Sequence, residues 1–201
     1  MEQEYKWVMP CDFNIENSWK NDDLGVNLLD TDKILMKAVY YDTEDGLLAN
    51  MHGALRVRCE NGRSICCMKI LSSCNGAYKN REEYEVETDS VLEGLMLLPS
   101  KNAPADVCKE ISQRPIVVLC SIEFTRSVYH LEINHKMGSC IVEFAVDSGV
   151  LRRQQQEQFN EIELEFVSGS DEVFHLYATL MESRFLLVPE PLSKIARAMK
   201  L

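Results

Sequence analysis

The chain has 201 residues, 46% of them hydrophobic and 26% charged, which is the composition of a folded domain with a sizeable core. Its formal net charge of -11 opposes non-specific attraction to nucleic acid or anionic lipid, since both select basic surfaces. There is no run of 18 apolar residues, and the acidic N-terminus lacks the basic and apolar regions of a signal peptide. The expectation is a cytoplasmic protein with neither a membrane nor a nucleic acid as partner.

Residues 2–7 read as a strand in which Glu2, Glu4 and Lys6 share one face and Gln3, Tyr5 and Trp7 the other. Pro10 breaks it, and 14–29 reads as a polar segment with a short helix near 15–24. Residues 33–43, rich in Ile, Leu, Val and Tyr, predict a strand ending in Tyr40-Tyr41-Asp42-Thr43. A short helix follows over 45–52, with Gly53 available to end it. In 54–60, Leu55, Val57 and Cys59 alternate with Arg56, Arg58 and Glu60. Asn61-Gly62 then predicts a type I′ hairpin, because both central residues of that turn need positive φ. The return strand, 63–71, carries Lys69, and 72–79 reads as a loop. Residues 81–88 place Arg81, Glu83, Glu85 and Glu87 opposite Tyr84 and Val86. Two short helices are expected in 91–111, with a break near Pro99 to Pro104. Strands follow over 116–133, which contains Arg126, and over 139–147, with a turn at 147–149. In 161–167, Glu161, Glu163 and Glu165 face away from Ile162, Leu164 and Phe166. Helical periodicity over 171–187 begins at a Ser170 cap and stops before Pro189 and Pro191; 193–200 is a short terminal helix. The reading is one α+β domain, 1–201, dominated by antiparallel strands.

Eight cysteines invite a zinc or disulfide reading, but no CxxC occurs and the four histidines sit at no ligand spacing. Reduced, buried thiols acting as small hydrophobes are the expectation. The charged rows are more informative. Any one of them is ordinarily the solvated face of an amphipathic strand, yet here they segregate by sign. Glu2/Glu4, Glu83/Glu85 and Glu161/Glu163/Glu165 are acidic, while Arg56/Arg58 is basic. Stacked like charges repel unless a counter-charge or ligand holds them. A sheet curled so that these rows line its interior, with helices covering the apolar outer faces, yields a wet channel of guanidinium and carboxylate groups. Arg and Lys bind phosphate oxygens and paired carboxylates hold Mg²⁺ or Mn²⁺, so the ligand class is a metal-bound polyphosphate.

The residues fall in a recognisable order. Glu2-x-Glu4-x-Lys6 is followed by Tyr41-Asp42-Thr43, Ala54-Leu55-Arg56-Val57-Arg58, Lys69, Arg81-x-Glu83-x-Glu85 and Arg126. Glu143, Asp147-x-Gly149, Glu161-Ile162-Glu163-Leu164-Glu165, Ser193-Lys194 and Arg197 complete the series. This order resembles the CYTH superfamily, the triphosphate tunnel metalloenzymes, over nearly the whole chain. The resemblance implies an eight-stranded antiparallel β-barrel with helices packed outside, and metal-dependent hydrolysis of inorganic triphosphate to diphosphate and phosphate. It implies Lys6, Arg56, Arg58, Lys69, Arg126 and Lys194 as triphosphate ligands, and Glu2, Glu4, Glu163 and Glu165 as ligands of Mg²⁺ or Mn²⁺. Glu4, Lys6 and Asp147 are the implied catalytic residues, Asp147 through a second metal or its water, and Glu83, Glu85 and Glu143 the implied tunnel carboxylates. Ser127 stands where a second basic residue often follows Arg126 in that family. Alternatives are a thiamine- or nucleoside-triphosphatase, with Tyr40, Tyr41, Trp19 and Tyr78 available to stack on a ring, a class IV adenylyl cyclase, or a non-catalytic triphosphate-binding module. In each, the partner is a small triphosphate-containing molecule.

Overall fold

Wherever the sequence alternates charged and apolar residues, the chain is extended. The computed structural model describes residues 2–15, 24–75 and 78–201, apart from the side chains of 2, 71–75 and 79–81. The elements in order are β1 (Glu2–Val8), β2 (Gly25–Thr43), α1 (Leu47–Asn50), β3 (Gly53–Glu60), β4 (Arg63–Asn75), β5 (Tyr78–Glu87) and α2 (Val91–Leu97). A 3₁₀ turn (Leu98–Lys101) leads to α3 (Ala105–Ser112), β6 (Ile116–His135), β7 (Gly138–Arg152) and β8 (Gln156–Gly169). The chain then forms α4 (Asp171–Phe185), β9 (Val188–Pro189) and α5 (Lys194–Ala198). All pairings are antiparallel, in the order β5-β4-β3-β2-β6-β7-β8-β1-β9. The N-terminal half of β1 also pairs with β5, from Glu2 opposite Arg81 to Tyr5 opposite Tyr78, so the first strand of the series shares a ladder with the last but one.

Several boundaries differ from the sequence reading. The sheet has nine strands because two residues after α4 add to the edge of β1, Trp7 facing Pro189 and Val8 facing Val188. β2 begins at Gly25 and includes residues read as a polar segment, because β6 supplies a ladder partner from Asn134 onward. The helix expected near 15–24 falls almost wholly outside the described residues. The loop expected at 72–79 is largely strand, since β4 and β5 remain paired to Asn75 and Tyr78. No turn forms at 147–149: β7 runs on to Arg152, and Gly149 instead lets β7 lie close to Glu123 and Phe124 of β6. The Asn61-Gly62 hairpin forms with φ of 49° and 95°. Ser90, Ser170 and Ser193 cap α2, α4 and α5 by accepting from Glu93, Val173 and Ala196 amides.

Three apolar clusters stabilise this arrangement. Val173, Phe174, Tyr177, Ala178 and Met181 of α4 pack on the outer face of β1, β6, β7 and β8 around Trp7, Phe144 and Leu164. On α2 and α3 together with the intervening turn, Leu95, Leu98, Cys108 and Ile111 cover Leu55, Cys66 and Met68 on β3 and β4. The third cluster joins Met36, Ala38 and Tyr40 to Ile122, Phe124, Leu151 and Phe159, with Ala198 and Ile195 of α5 against it. Met36, Tyr40, Phe124 and Ile195 also line the main cavity, so α5 packs on the inner side rather than outside. This apolar inner surface requires a cover, which the terminal helix supplies.

Close packing under α2 depends on Gly94, where an added Cβ would lie 2.2 Å from Cys66 Sγ and 2.6 Å from Cys66 Cβ. Alanine has the higher helix propensity, yet Gly94→Ala is expected to destabilise the protein by about 1–3 kcal/mol through overpacking. A urea midpoint equal to or above that of the parent protein contradicts this.

Candidate functional site

The inner face of the sheet encloses one large cavity of about 1010 Å³. Lys6, Arg56, Arg58, Lys69, Arg126 and Lys194 all line it, as do Glu4, Glu83, Glu85, Glu143, Glu163 and Glu165. These twelve come from seven strands and α5, and register explains their convergence. Glu4 of β1 is opposite Glu165 of β8, and Glu165 is opposite Glu143 of β7, giving a row of three carboxylates across adjacent strands. One step along, Lys6 faces Glu163. On the other wall, Ala54 faces Lys69 and Lys69 faces Glu83, while Arg56 faces Cys67 and Cys67 faces Glu85.

The β3–β4–β5 wall centres on Glu83. Its Oε2 lies 2.8 Å from Lys69 Nζ, and its Oε1 is 3.6 Å from Arg56 Nη2 and 3.5 Å from Arg58 Nη1. Burial opposes ionisation of Glu83, but Lys69 and Arg56 outweigh it and hold the carboxyl well below the usual range. Burial raises the Glu85 carboxyl, only partly offset by Arg58 Nη1 at 2.8 Å. The Cys67 thiol donates to Glu83 at 3.0 Å, and burial pushes its pKa up to about 12, keeping it neutral.

A second network binds α5 to β6, β7 and β8. Arg126 Nε and Nη2 donate to Asp147 Oδ1 and Oδ2, both at 2.8 Å, and Nη2 also pairs with Glu163. Lys194 Nζ is 2.8 Å from Asp147 and 2.9 Å from Glu163 and also pairs with Glu161, which in turn holds Arg197. The ammonium lies over Phe124, 5.0 Å from the ring centroid. Burial disfavours the charged form of Glu163, but Lys194, Arg126 and Lys6 overcome it and hold the carboxyl well below the usual range. Asp147 is fully buried and lies behind the cavity lining. Lys6 donates to the Leu192 carbonyl at 2.5 Å, tying β1 to the segment that precedes α5.

The Glu2 side chain and Trp19 lie outside the described residues. Tyr40 and Tyr41 line the cavity, whereas Tyr78 packs with Tyr5 and His175 away from it. Among the described residues, two groups of three possible metal donors lie within 4.8 Å of one another: Cys67, Glu83 and Glu85, and Asp147, Glu161 and Glu163. Both are ringed by Lys and Arg, and neither the Cys67 contact nor the central place of Glu161 is signalled by alternation alone.

These depressed carboxyls give a signed pH dependence. Glu83 and Glu163 have folded pKa values below their unfolded values, so they stabilise the protein above about pH 4.3 and that stability is lost as pH falls through the folded values. Glu85 acts oppositely, its cost being relieved on acidification. The urea midpoint is expected to be flat or slightly rising from pH 7 to 5 and to fall steeply below about pH 4. Glu163→Gln should flatten that acid limb; an unchanged limb contradicts the assignment.

A sheet whose inner wall carries interleaved basic and acidic rows, covered outside by α2–α4 and inside by α5, defines an antiparallel α+β fold with a charge-paired interior. The family model described as the CYTH domain matches residues 1–199, and the chain belongs to that family. Its fold is similar to that of a candidate adenylyl cyclase from Hippeastrum described as having a dominant triphosphatase activity, at 20% identity and TM-score 0.63, covering 100% of this chain and 96% of that one. A protein from Pyrococcus horikoshii is similar at 18% identity and TM-score 0.57, with 100% and 99% covered. A candidate adenylate cyclase from Bacillus halodurans is similar at 19% identity and TM-score 0.50, with 94% and 92% covered. Among the described residues, no helix is long and apolar enough to cross a membrane.

Proposed function

We propose that the chain hydrolyses inorganic triphosphate to diphosphate and phosphate in a metal-dependent reaction inside a charged β-walled tunnel. The observation that carries this reading is the convergence of six Lys and Arg side chains from opposite walls on one cavity that also holds a row of carboxylates. A protein that only captures anions gains nothing from Glu4, Glu165 and Glu143 placed side by side. That row is all oxygen, as a hard divalent cation prefers, and Glu4, Glu165 and Glu143, aligned by strand register rather than clustered within 4.8 Å of one another, are with Glu2 two positions earlier on β1 the residues that would hold Mg²⁺ or Mn²⁺. Such an ion supplies charge neutralisation and a water of lowered pKa. Glu163, already engaged by Arg126 and Lys194, is assigned instead to ordering those cations.

The basic residues act by exchanging partners. In the absence of anion, Glu83 neutralises Lys69, Arg56 and Arg58, and Asp147 and Glu163 neutralise Arg126 and Lys194. An entering triphosphate offers stronger acceptors to the same donors, which are already desolvated and aimed at the cavity. Charge that develops on the bridging and terminal oxygens as water attacks the terminal phosphorus is then met without reorganisation. Asp147 keeps the Arg126 guanidinium in one plane through its bidentate bond and is a positioning residue in this scheme.

The test is phosphate release from inorganic triphosphate, ATP and thiamine triphosphate in parallel, with Mg²⁺, Mn²⁺ or a chelator. Metal-dependent release from inorganic triphosphate is expected. Tight triphosphate binding without release of phosphate from any of the three overturns the triphosphatase reading. Pyrophosphate release from ATP without orthophosphate identifies a cyclase.

A further inference from the structure

Of the three basic residues on the β3–β4–β5 wall, Arg56 is the least paired. Lys69 Nζ has Glu83 Oε2 at 2.8 Å, and Arg58 has Glu85 Oε1 at 2.8 Å and Glu60 Oε1 at 2.5 Å. Arg56 Nη1 instead donates to the Tyr40 hydroxyl at 3.3 Å, and its Nη2 is 3.6 Å from Glu83 Oε1, beyond hydrogen-bond range. Its Nε is buried with no hydrogen-bond partner among the described residues. A guanidinium and a carboxylate that are free to approach settle at about 2.7–2.9 Å, and a buried donor left unmatched carries a cost. With an ionised carboxylate this near, a third group must hold the two apart.

Cys67 stands in that place. On β4 it lies directly opposite Arg56 of β3 and Glu85 of β5, while Lys69, two residues on and on the same face, is opposite Glu83. The Cys67 side chain is fully buried, lines the cavity and donates its thiol hydrogen to Glu83 Oε1 at 3.0 Å. Both oxygens of Glu83 are thus engaged from β4, Oε2 by Lys69 and Oε1 by Cys67. The oxygen that Arg56 would take is already in use. The charge of Glu83 still offsets the basic cluster, but its geometry is withheld from the guanidinium.

We infer that Cys67 is a positioning residue for triphosphate: by holding Glu83 Oε1, its thiol keeps Arg56 from closing on that carboxylate and leaves the guanidinium donors to the anion. The inference rests on the reading of this cavity as a triphosphate site and deepens it, because it names the residue that keeps one phosphate ligand in reserve. If Glu83 closed on Arg56, an entering anion would first have to break a buried ion pair, which weakens binding and leaves the chemical step alone.

The experiment compares the parent protein with Cys67→Ala, Cys67→Ser, Glu83→Gln and the double variant Cys67→Ala/Glu83→Gln. Calorimetry measures inorganic triphosphate binding in chelator, steady-state kinetics with Mg²⁺ give KM and kcat, and urea midpoints follow folding. Cys67→Ala frees Glu83 Oε1 for Arg56, so Kd and KM should rise by about tenfold, the worth of one hydrogen bond to a charged group, with kcat within about twofold of the parent. Cys67→Ser restores a donor of similar size and should bring Kd and KM back to within about twofold. In the Glu83→Gln background, loss of the thiol should have no further effect, because a residue acting through a partner is not additive with it. Unchanged binding in Cys67→Ala, equal weakening in the alanine and serine variants, or an effect of the same size in the Glu83→Gln background overturns the inference. If the alanine variant does not fold, Cys67→Val, which fills the space without a donor, takes its place. If triphosphate binds but no substrate is turned over, the triphosphatase reading fails by itself, and Kd in chelator still decides the role of Cys67. A parent protein that binds no triphosphate overturns both.

Discussion

Glu4→Gln is expected to lower the kcat for inorganic triphosphate by about 100-fold or more while leaving binding of the anion in chelator intact or tighter. Glu4 is only 4% exposed, lines the cavity and stands directly opposite Glu165, which is itself opposite Glu143. Glutamine keeps the shape and the strand register but removes one charge from the row that would hold the cation. The activating concentration of Mg²⁺ or Mn²⁺ should therefore rise together with the fall in kcat. Steady-state kinetics over a metal titration, paired with calorimetry, read both effects. A kcat within twofold of the parent value takes Glu4 out of the metal set. A variant that binds triphosphate more tightly, in a protein whose parent form shows no turnover, identifies an anion-binding module instead.

Asp147→Ala should be the most destabilising of the site substitutions. The aspartate is fully buried, receives both arms of Arg126 and lies 2.8 Å from Lys194. Its removal takes one carboxylate from each of two buried cations, Arg126 keeping Glu163 and Lys194 keeping Glu161 and Glu163, so the loss is expected at the lower end, about 3 kcal/mol, of that for breaking a buried pair. Melting should fall by roughly 10 °C for a chain of this size. Calorimetry tests this, and a fall of less than about 2 °C would show that the network contributes little. Asp147→Asn separates the positioning role from the metal role that the family resemblance implies. If Asp147 acts by orienting Arg126, the asparagine variant raises the KM for triphosphate and leaves the metal titration in place. A shifted metal titration at unchanged KM restores Asp147 to the metal set.

Alternation made much of this site legible. Period-two rows such as Arg56/Arg58, Glu83/Glu85 and Glu163/Glu165 fall on the cavity side because successive side chains in a strand point to opposite faces. Lys69 and Arg126 are harder to read, since each shares its face with apolar residues. The reason is visible in the fold: part of the inner wall, around Met36, Ile122 and Phe124, is itself apolar and needs α5 to cover it. An expectation of charged interior and apolar exterior is therefore correct for β1, β3 and β5 but incomplete for β2 and β6.

Composition, hydrophobic period and turn chemistry determined locally what depends on near neighbours. These include the antiparallel strands, the Asn61-Gly62 hairpin, the serine caps of α2, α4 and α5, and the sign of each charged row. The sequence order of the charged residues also carried the CYTH resemblance. Tertiary structure alone decided what depends on register and distance. It set Glu4 beside Glu165 and Glu143, gave Asp147 to Arg126 and Lys194, and continued β7 through Gly149. Those partners are separated along the chain by 21 to 161 residues. Electrostatic interactions act through space, so no local pattern states which carboxylate will meet which cation.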